Sequence, residues 1–146
     1  MKGIILAGGT GSRLRPMTYV TNKHLLPVFD RPMIYFPILT LVKGGVTDIA
    51  IVTGNESAGD FIDLLGNGEN FGADFTYKVQ TKAGGIAEAL NLTKRFCGDE
   101  NMVVILGDNL FLGDETTALI EHYNSYDEYT GAVSYTHLTL PTKRIV

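Results

Sequence analysis

The chain has 146 residues, of which 45% are apolar and 19% charged, and its formal net charge at pH 7 is −4. This length supports one ordinary globular core, and the scattered Lys and Arg exclude the basic stripe that binding along a nucleic-acid backbone requires. Cys97 is the only cysteine, which excludes an internal disulfide and a cysteine-based zinc cluster and fits a reducing compartment.

Short apolar runs rich in β-branched residues predict three buried strands, over residues 3–7, 48–53 and 102–106. Their continuous apolar character is typical of parallel strands that are buried on both faces. Residues 75–80 alternate in the manner of a fourth strand. No run reaches the length of a membrane span, about 20 apolar residues, so we expect a soluble, cytoplasmic protein with no membrane partner.

Stretches with helical spacing separate these strands. Pro32 suits the first turn of a helix that stops at Gly44 and Gly45, although Pro37 disturbs its first turns. A second helix is expected after Ser57, burying the apolar positions 61, 64 and 65. Two more are expected over residues 86–96 and from Thr116 or Thr117 to about Tyr123. Alternating strands and helices predict an α/β fold with a doubly wound, mainly parallel sheet.

A glycine-rich loop follows the first predicted strand and consists of Gly8, Gly9, Thr10, Gly11 and Ser12. Its glycines let the backbone take positive φ and approach a ligand, so that successive N–H groups can face phosphate oxygens. Open α/β sheets bind ligands at this edge. The loop matches neither a Walker loop nor a dinucleotide fingerprint, because no closing lysine follows and Leu14 replaces the third small residue. A plain tight turn is the simpler alternative.

Two cations follow the loop, Arg13 directly and Lys23 ten residues later. An arginine fork matches phosphate oxygens and a lysine supplies a mobile point charge, so the pair suits a triphosphate. The alternative is that both are ordinary solvated surface cations.

The third buried strand leads directly into Gly107, Asp108 and Asn109. The strand would deliver Asp108 to the edge of the sheet that carries the glycine loop, where a carboxylate can bind Mg²⁺. The alternative is an Asp-Asn turn. Gln80 ends its strand with an amide that can pair with both a donor and an acceptor on a pyrimidine. Gly85 would let a flat base approach the backbone.

The segment GGTGSRLRPMT followed by KHLLPVFDRPM closely resembles the signature of sugar-phosphate nucleotidyltransferases, and within them of glucose-1-phosphate thymidylyltransferases. The likeness continues through LLGNGENFG, TYKVQ, GGIAEAL and LGDN and covers residues 1 to about 132. It implies a Rossmann-like nucleotidyltransferase fold. It also implies transfer of a nucleotidyl group from dTTP to glucose 1-phosphate, giving dTDP-glucose and pyrophosphate.

The same resemblance implies roles for the residues that match the motifs. The backbone of residues 8–12 would hold the nucleotide phosphates, Arg13 would stabilise the triphosphate and the departing pyrophosphate, and Lys23 would contact the reacting phosphates. Asp108 would hold Mg²⁺, and Gln80 and Gly85 would contact the base.

Other polar residues are interpreted as outside the chemistry. His24, His122 and His137 show no spacing of a triad or a metal cluster, and Glu88 and Asp30 fit an ordinary helix face and a turn. His24 stands where the family often has a glutamine that helps to read the base. A UTP-dependent uridylyltransferase and a non-catalytic nucleotide-binding regulatory subunit therefore stay open as alternatives. A nicotinamide-dependent oxidoreductase is disfavoured by Leu14.

The resemblance ends after Ala132, which divides the chain into a nucleotide-binding part, residues 1–132, and a tail, residues 133–146. The tail could form an edge strand stopped by Pro141, but it also resembles a translated sequencing adapter, and we interpret it as non-native. In the family, the sugar contacts and a second metal-binding aspartate come from a further half. We therefore expect this truncated chain to be inactive alone, and the full-length protein to form a homo-oligomer.

Overall fold

A parallel sheet forms the centre of the computed structural model, which describes residues 1–82 and 84–125. The strands are β1 (Lys2–Ala7), β2 (Pro27–Val28), β3 (Arg31–Pro32), β4 (Asp48–Gly54), β5 (Asp74–Gln80) and β6 (Met102–Leu106). The helices are α1 (Tyr35–Lys43), α2 (Ala58–Leu65), α3 (Gly85–Leu92), α4 (Lys94–Cys97) and α5 (Glu115–Asn124). The predicted α/β fold with a mainly parallel sheet is confirmed.

The strand order of the main sheet is β5-β4-β1-β6, and all three pairings are parallel. The chain moves outward from β1 to β4 and β5 and then crosses back to place β6 on the other side of β1. The strand order reverses between β1 and β6. Open α/β sheets bind their ligands outside the carboxyl ends of the strands at such a point.

Helices cover both faces of the sheet. On one face, Ile38 of α1, Phe61 of α2 and Ile120 of α5 belong to the larger buried cluster, together with Ile5 and Ile51 from the strands. On the other face, a smaller cluster joins strand residues to the helices that follow β5. Its members are Ile4, Leu6, Val52, Ala89 and Cys97. These two layers are the doubly wound arrangement that the sequence predicts.

The first predicted helix begins later than expected. Pro32 belongs to the short β2–β3 hairpin, and α1 begins only at Tyr35. Pro37 is tolerated because it lies in the first turn of α1, where backbone N–H groups have no partner within the helix. The predicted α2 is confirmed with Phe61 and Leu65 buried, but Leu64 is 37% exposed and does not belong to the core.

The later helices also differ from the expectation. The predicted helix over residues 86–96 is divided into α3 and α4 at Thr93, whose hydroxyl donates to the carbonyl of Leu90 at 2.7 Å. Such a local side-chain bond competes with the regular helical pattern. The last helix starts at Glu115 after Asp114, so neither expected threonine caps it.

Strand β6 is covered on one face only by the described residues. Ile105 is buried, whereas Met102, Val104 and Leu106 are 52%, 37% and 38% exposed. The expected burial on both faces is therefore wrong for this strand, although it holds for β1 and β4. The predicted tail and His137 lie outside the described residues. Over residues 1–82 and 84–125, no helix is long and apolar enough to cross a bilayer.

Candidate active site

The glycine loop leaves β1 at the edge of the sheet where the strand order reverses. Gly9 and Gly11 have φ of +100° and +59°, a region that other residues rarely adopt. A Cβ at Gly11 would lie 2.8 Å from Thr18 Cγ2 and 3.2 Å from Lys23 Cβ. The Thr18 hydroxyl also donates to the Gly11 carbonyl at 2.7 Å. Close packing on the next segment thus explains why this position needs glycine.

Arg13 lies in the short 3₁₀ turn Ser12–Leu14 that follows the loop. Its side chain is exposed, as expected for a loop arginine, and makes no ion pair with the described residues. Arg15 differs, because it lies against the ring of Tyr19, with 5.0 Å between its guanidinium carbon and the ring centroid.

Lys23 and Asp108 are brought together from distant parts of the sequence. Lys23 Nζ donates to Asp108 Oδ2 at 2.6 Å, and their side chains are 25% and 37% exposed. Burial raises the pKa of the Asp108 carboxyl, but the hydrogen bond and the charge of Lys23 outweigh burial, so that its pKa lies below the ordinary value. The result is an ionised carboxylate beside a cation at the strand edge.

Asn22 connects the lysine segment to the end of β1. Its side-chain amide donates to the Ala7 carbonyl at 3.5 Å and to Ser57 Oγ at 3.2 Å, while its oxygen accepts from the backbone N–H of His24 at 3.0 Å. Asn22 thus caps the 3₁₀ turn Lys23–Leu25 and fixes the start of the lysine's segment. The sequence motifs do not single out this buried residue. An asparagine directly before a turn is the signal that indicates it.

His24 is buried and lies outside the groove described below. Its Nδ1 lies 2.7 Å from Asn22 Oδ1, which can only accept, so Nδ1 carries the proton in the neutral ring. The pKa of His24 is lowered to about 4, mainly by burial and also by the charge of Lys23, against an opposing effect of Asp108. The ring also packs on Gly107, where a Cβ would lie 2.8 Å from His24 Cδ2.

A groove of about 680 Å³ runs between the glycine loop and the carboxyl ends of β4 and β5. This volume lies within the range of small-molecule sites. Arg15 and Lys82 supply positive charge to the groove, and Glu56 and Asp60 supply negative charge. The lining also includes Gly9, Thr10, Thr18, Tyr19, Val20, Thr21, Asn22, Gly54, Asn55, Ser57, Gln80 and Thr81.

Of the two predicted base-contacting residues, Gln80 lines this groove, and Gly85 contacts Gln80 without lining it. Gln80 ends β5, and Gly85 opens α3 with φ +79°. Gln80 Nε2 donates to the Gly85 carbonyl at 3.2 Å and to Glu88 Oε2 at 3.1 Å. Glu88, which the sequence indicates to be an ordinary helix-face residue, also accepts this hydrogen bond from the Gln80 amide.

The residues present fit a metal held jointly with a ligand. The described part of the chain contains no group of three or more His, Cys, Asp or Glu side chains that could bind a metal. Asp108 offers an ionised, partly exposed carboxylate beyond the end of β6, beside Lys23. One carboxylate together with substrate phosphates is a usual way for Mg²⁺ to be bound.

The predicted site residues are therefore placed at one edge of the sheet, in two parts. Gly9, Thr10 and Gln80 line the groove, and Lys23 is paired with Asp108 beside the strand reversal. Arg13 is not among the groove-lining residues. A groove with a glycine loop, a cation and a carboxylate is suited to a phosphorylated ligand.

The fold and this edge define an α/β protein with a ligand groove at the carboxyl ends of its parallel strands. A glucose-1-phosphate thymidylyltransferase of Neisseria meningitidis is 45% identical over 121 residues, which are 83% of this chain and 42% of that protein. A Bacillus anthracis crystal structure provisionally assigned to the same activity, in complex with sucrose, is 58% identical with TM-score 0.79 and covers 85% of this chain and 50% of that one. UDP-glucose pyrophosphorylase complexed with UDP-glucose is 26% identical with TM-score 0.72, covering 86% and 53%.

The family model described as nucleotidyl transferase matches residues 2–143. The chain belongs to this nucleotidyl transferase family. It spans about half the length, or less, of these relatives.

Proposed function

We propose that the full-length protein transfers a thymidylyl group from dTTP to glucose 1-phosphate, giving dTDP-glucose and pyrophosphate. The observation that carries the proposal is the pairing of Lys23 with Asp108 beside the glycine loop, at the reversal of strand order. Membership of the nucleotidyl transferase family and the names of the relatives support the same reaction.

The proposed reaction joins two anions, so neutralising and positioning them are the main tasks of the protein. A phosphate oxygen of glucose 1-phosphate attacks the α-phosphorus of dTTP, and the bond between the α-phosphorus and the oxygen bridging to the β-phosphate breaks to release pyrophosphate. Lys23 would contact the reacting phosphates, and Arg13 the triphosphate and the departing pyrophosphate. Such preorganised charges stabilise a transition state without a nucleophilic side chain.

The glycine loop would hold the phosphates through its backbone. Gly9 and Thr10 line the groove, and positive φ at Gly9 permits close approach of the backbone. Successive N–H groups in such a loop form a concave anion site. Gln80, which lines the groove, and Gly85, whose carbonyl accepts from Gln80, are proposed to contact the base.

Asp108 is proposed as a ligand of Mg²⁺. When bound, the ion would neutralise charge on the nucleotide phosphates. Asp108 would hold the ion through a carboxylate oxygen, and Lys23, which lies beside it, would contact a phosphate oxygen. The cytoplasm is the compartment proposed for this reaction.

UTP is the second candidate donor. The favouring observation is the fold similarity to UDP-glucose pyrophosphorylase. His24 is buried and does not line the groove, whereas Gln80 does line it. Its amide pairs with groups shared by thymine and uracil, and by itself does not separate the two donors.

The test is pyrophosphate release by the full-length protein with Mg²⁺, glucose 1-phosphate and each of dTTP, UTP, dCTP, ATP and GTP. We expect turnover with dTTP or UTP and little with purine nucleotides, because a wrong base leaves polar groups of the site unpaired. Equal use of ATP or GTP would contradict the proposed base site. Nucleotide binding without turnover would instead favour a regulatory subunit.

A further inference from the structure

The orientation of the Gln80 amide is determined by two contacts on its nitrogen. Nε2 lies 3.2 Å from the Gly85 carbonyl oxygen and 3.1 Å from Glu88 Oε2. A carbonyl and a carboxylate oxygen can only accept, so both require the NH₂ group of Gln80 on this side. The opposite orientation would place the amide oxygen against two acceptors. The Gly85 carbonyl and the Glu88 carboxylate together therefore fix the amide with its nitrogen toward them and its oxygen away from them.

The amide oxygen of Gln80 is left beside the glycine loop. A Cβ at Gly8 would lie 3.4 Å from Gln80 Oε1, and Gln80 itself lines the groove. Within residues 1–82 and 84–125, Oε1 makes no hydrogen bond, whereas Nε2 makes two. Gln80 Oε1 is thus available in the groove as a hydrogen-bond acceptor for a ligand.

Glu88 reaches Gln80 because of a glycine at the start of α3. The carboxylate folds back over Gly84, where a Cβ would lie 2.5 Å from Glu88 Cδ and would overlap the carboxylate oxygen. Any larger residue at position 84 would displace Glu88 from its contact with Gln80. Glu88, the acidic residue in the first turn of α3, therefore contacts β5 through Gln80 and does not point only into solvent.

Pyrimidine bases differ in the group that such an acceptor meets. Thymine and uracil carry an N–H donor at ring position N3, whereas the N3 of cytosine is an acceptor. An amide oxygen at this place can accept from the N3–H of thymine or uracil. Opposite cytosine it would face another acceptor, and neither group would be satisfied.

We propose that Glu88 is a positioning residue that holds the Gln80 amide with its oxygen toward the base, and so selects thymine or uracil over cytosine. This inference rests on the proposed function for the identity of the ligand. It adds to that function a reason for the base preference: Glu88, which does not itself contact the base, determines that Gln80 offers an acceptor to it.

The test compares dTTP and dCTP in the full-length protein, by calorimetric measurement of binding with Mg²⁺ and by kcat/KM. The variants are Glu88→Ala and Glu88→Gln, and Asn91→Ala on the exposed side of the same helix is the matched control. We expect Glu88→Ala to lower the preference for dTTP over dCTP about tenfold, the effect of one ordinary hydrogen bond. Glu88→Gln should retain more of the preference, because its amide oxygen can still accept, and Asn91→Ala should leave it unchanged.

The outcomes separate a positioning role from a structural one. If Glu88→Ala weakens dTTP and dCTP equally, Glu88 only supports α3 and the inference is wrong; circular dichroism confirms that the variants fold. Glu88→Gln gives the same test if the alanine variant does not fold. Selective dTTP binding without pyrophosphate release would overturn the proposed function but not this inference. Turnover with dTTP and an unchanged base preference in both variants would overturn this inference alone.

Discussion

Lys23 Nζ lies 2.6 Å from Asp108 Oδ2, so the cation that follows the glycine loop and the carboxylate that follows β6 neutralise each other across 85 residues of sequence. Lys23 and Asp108 are therefore both already charged before a ligand binds. The ion pair holds both groups at the edge where the strand order reverses, and a bound metal–nucleotide complex would replace their mutual contact by contacts with opposite charges of its own.

Asp108→Asn tests the role of this pair. We expect turnover to fall at least about 10²-fold, because the proposed Mg²⁺ loses its carboxylate ligand and with it the positive charge that would neutralise the reacting phosphates. The free energy of unfolding should fall by less than about 1 kcal/mol, since both side chains are partly exposed and solvent screens the pair. Pyrophosphate release over a series of Mg²⁺ concentrations and urea unfolding measure the two effects. Turnover within threefold of the unmodified protein would exclude Asp108 as the metal ligand.

Arg13→Ala should lower kcat by about 10² to 10³, the typical loss for one preorganised charge-stabilising group. Stability should be almost unchanged, because Arg13 is exposed and pairs with no described residue. Arg95→Ala, an exposed arginine on α4, is the control and should keep full turnover. Equal kcat values for the two variants would show that Arg13 has no special role.

His24→Gln should remove the part of the pH dependence of the free energy of unfolding that His24 causes. The folded protein holds the pKa of His24 at about 4, below its ordinary value of 6.5, because the ring is buried. Between these values the unfolded chain binds a proton that the folded protein does not, so the free energy of unfolding decreases as the pH falls. The loss amounts to about 3 kcal/mol at most. Urea unfolding at pH 7 and pH 4.5 should show a smaller decrease in the variant. Equal decreases would contradict the assignment.

Gly107→Ala should destabilise the protein by about 1 to 3 kcal/mol, the usual cost of adding a methyl group to a packed site. Its Cβ would lie 2.8 Å from His24 Cδ2 and 3.1 Å from the backbone oxygen of Leu6. Gly59→Ala is the matched control, because it lies within α2 with open space around it. Alanine there should stabilise the helix by up to about 1 kcal/mol. Thermal unfolding of both variants makes the comparison, and similar losses would argue against a tight contact at Gly107.

The strands were predictable because their continuous apolar runs are longer than those that loops contain. The runs at residues 48–53 and 102–106 correspond to β4 and β6 within one residue at each end. The start of α1 was not predictable in the same way. A proline before an apolar stretch suits a helix start and a hairpin strand equally, and pairing of Pro32 with Pro27 determined the outcome.

The candidate site was predictable for residues that directly follow a strand, because their place in the sequence determines the edge of the sheet at which they lie. Asp108 follows β6 and Gly8 follows β1, so parallel pairing of these strands brings both to one edge. The contacts of Asn22 and Glu88 were not predictable, because each depends on side chains folding back across turns. Spacing along a sequence contains no information about which side chain fills the space over a particular glycine.

The pairing of β1 with β6 also affects the order in which the sheet can form. Lys2 and Met102 are register partners, so one edge of β1 waits for a partner that lies about 100 residues later in the chain. At a synthesis rate of about 5 to 20 residues per second, this interval lasts about 5 to 20 s. During that time the open edge of β1 can pair with a strand of another nascent chain. Any pause of the ribosome before β6 lengthens this exposure.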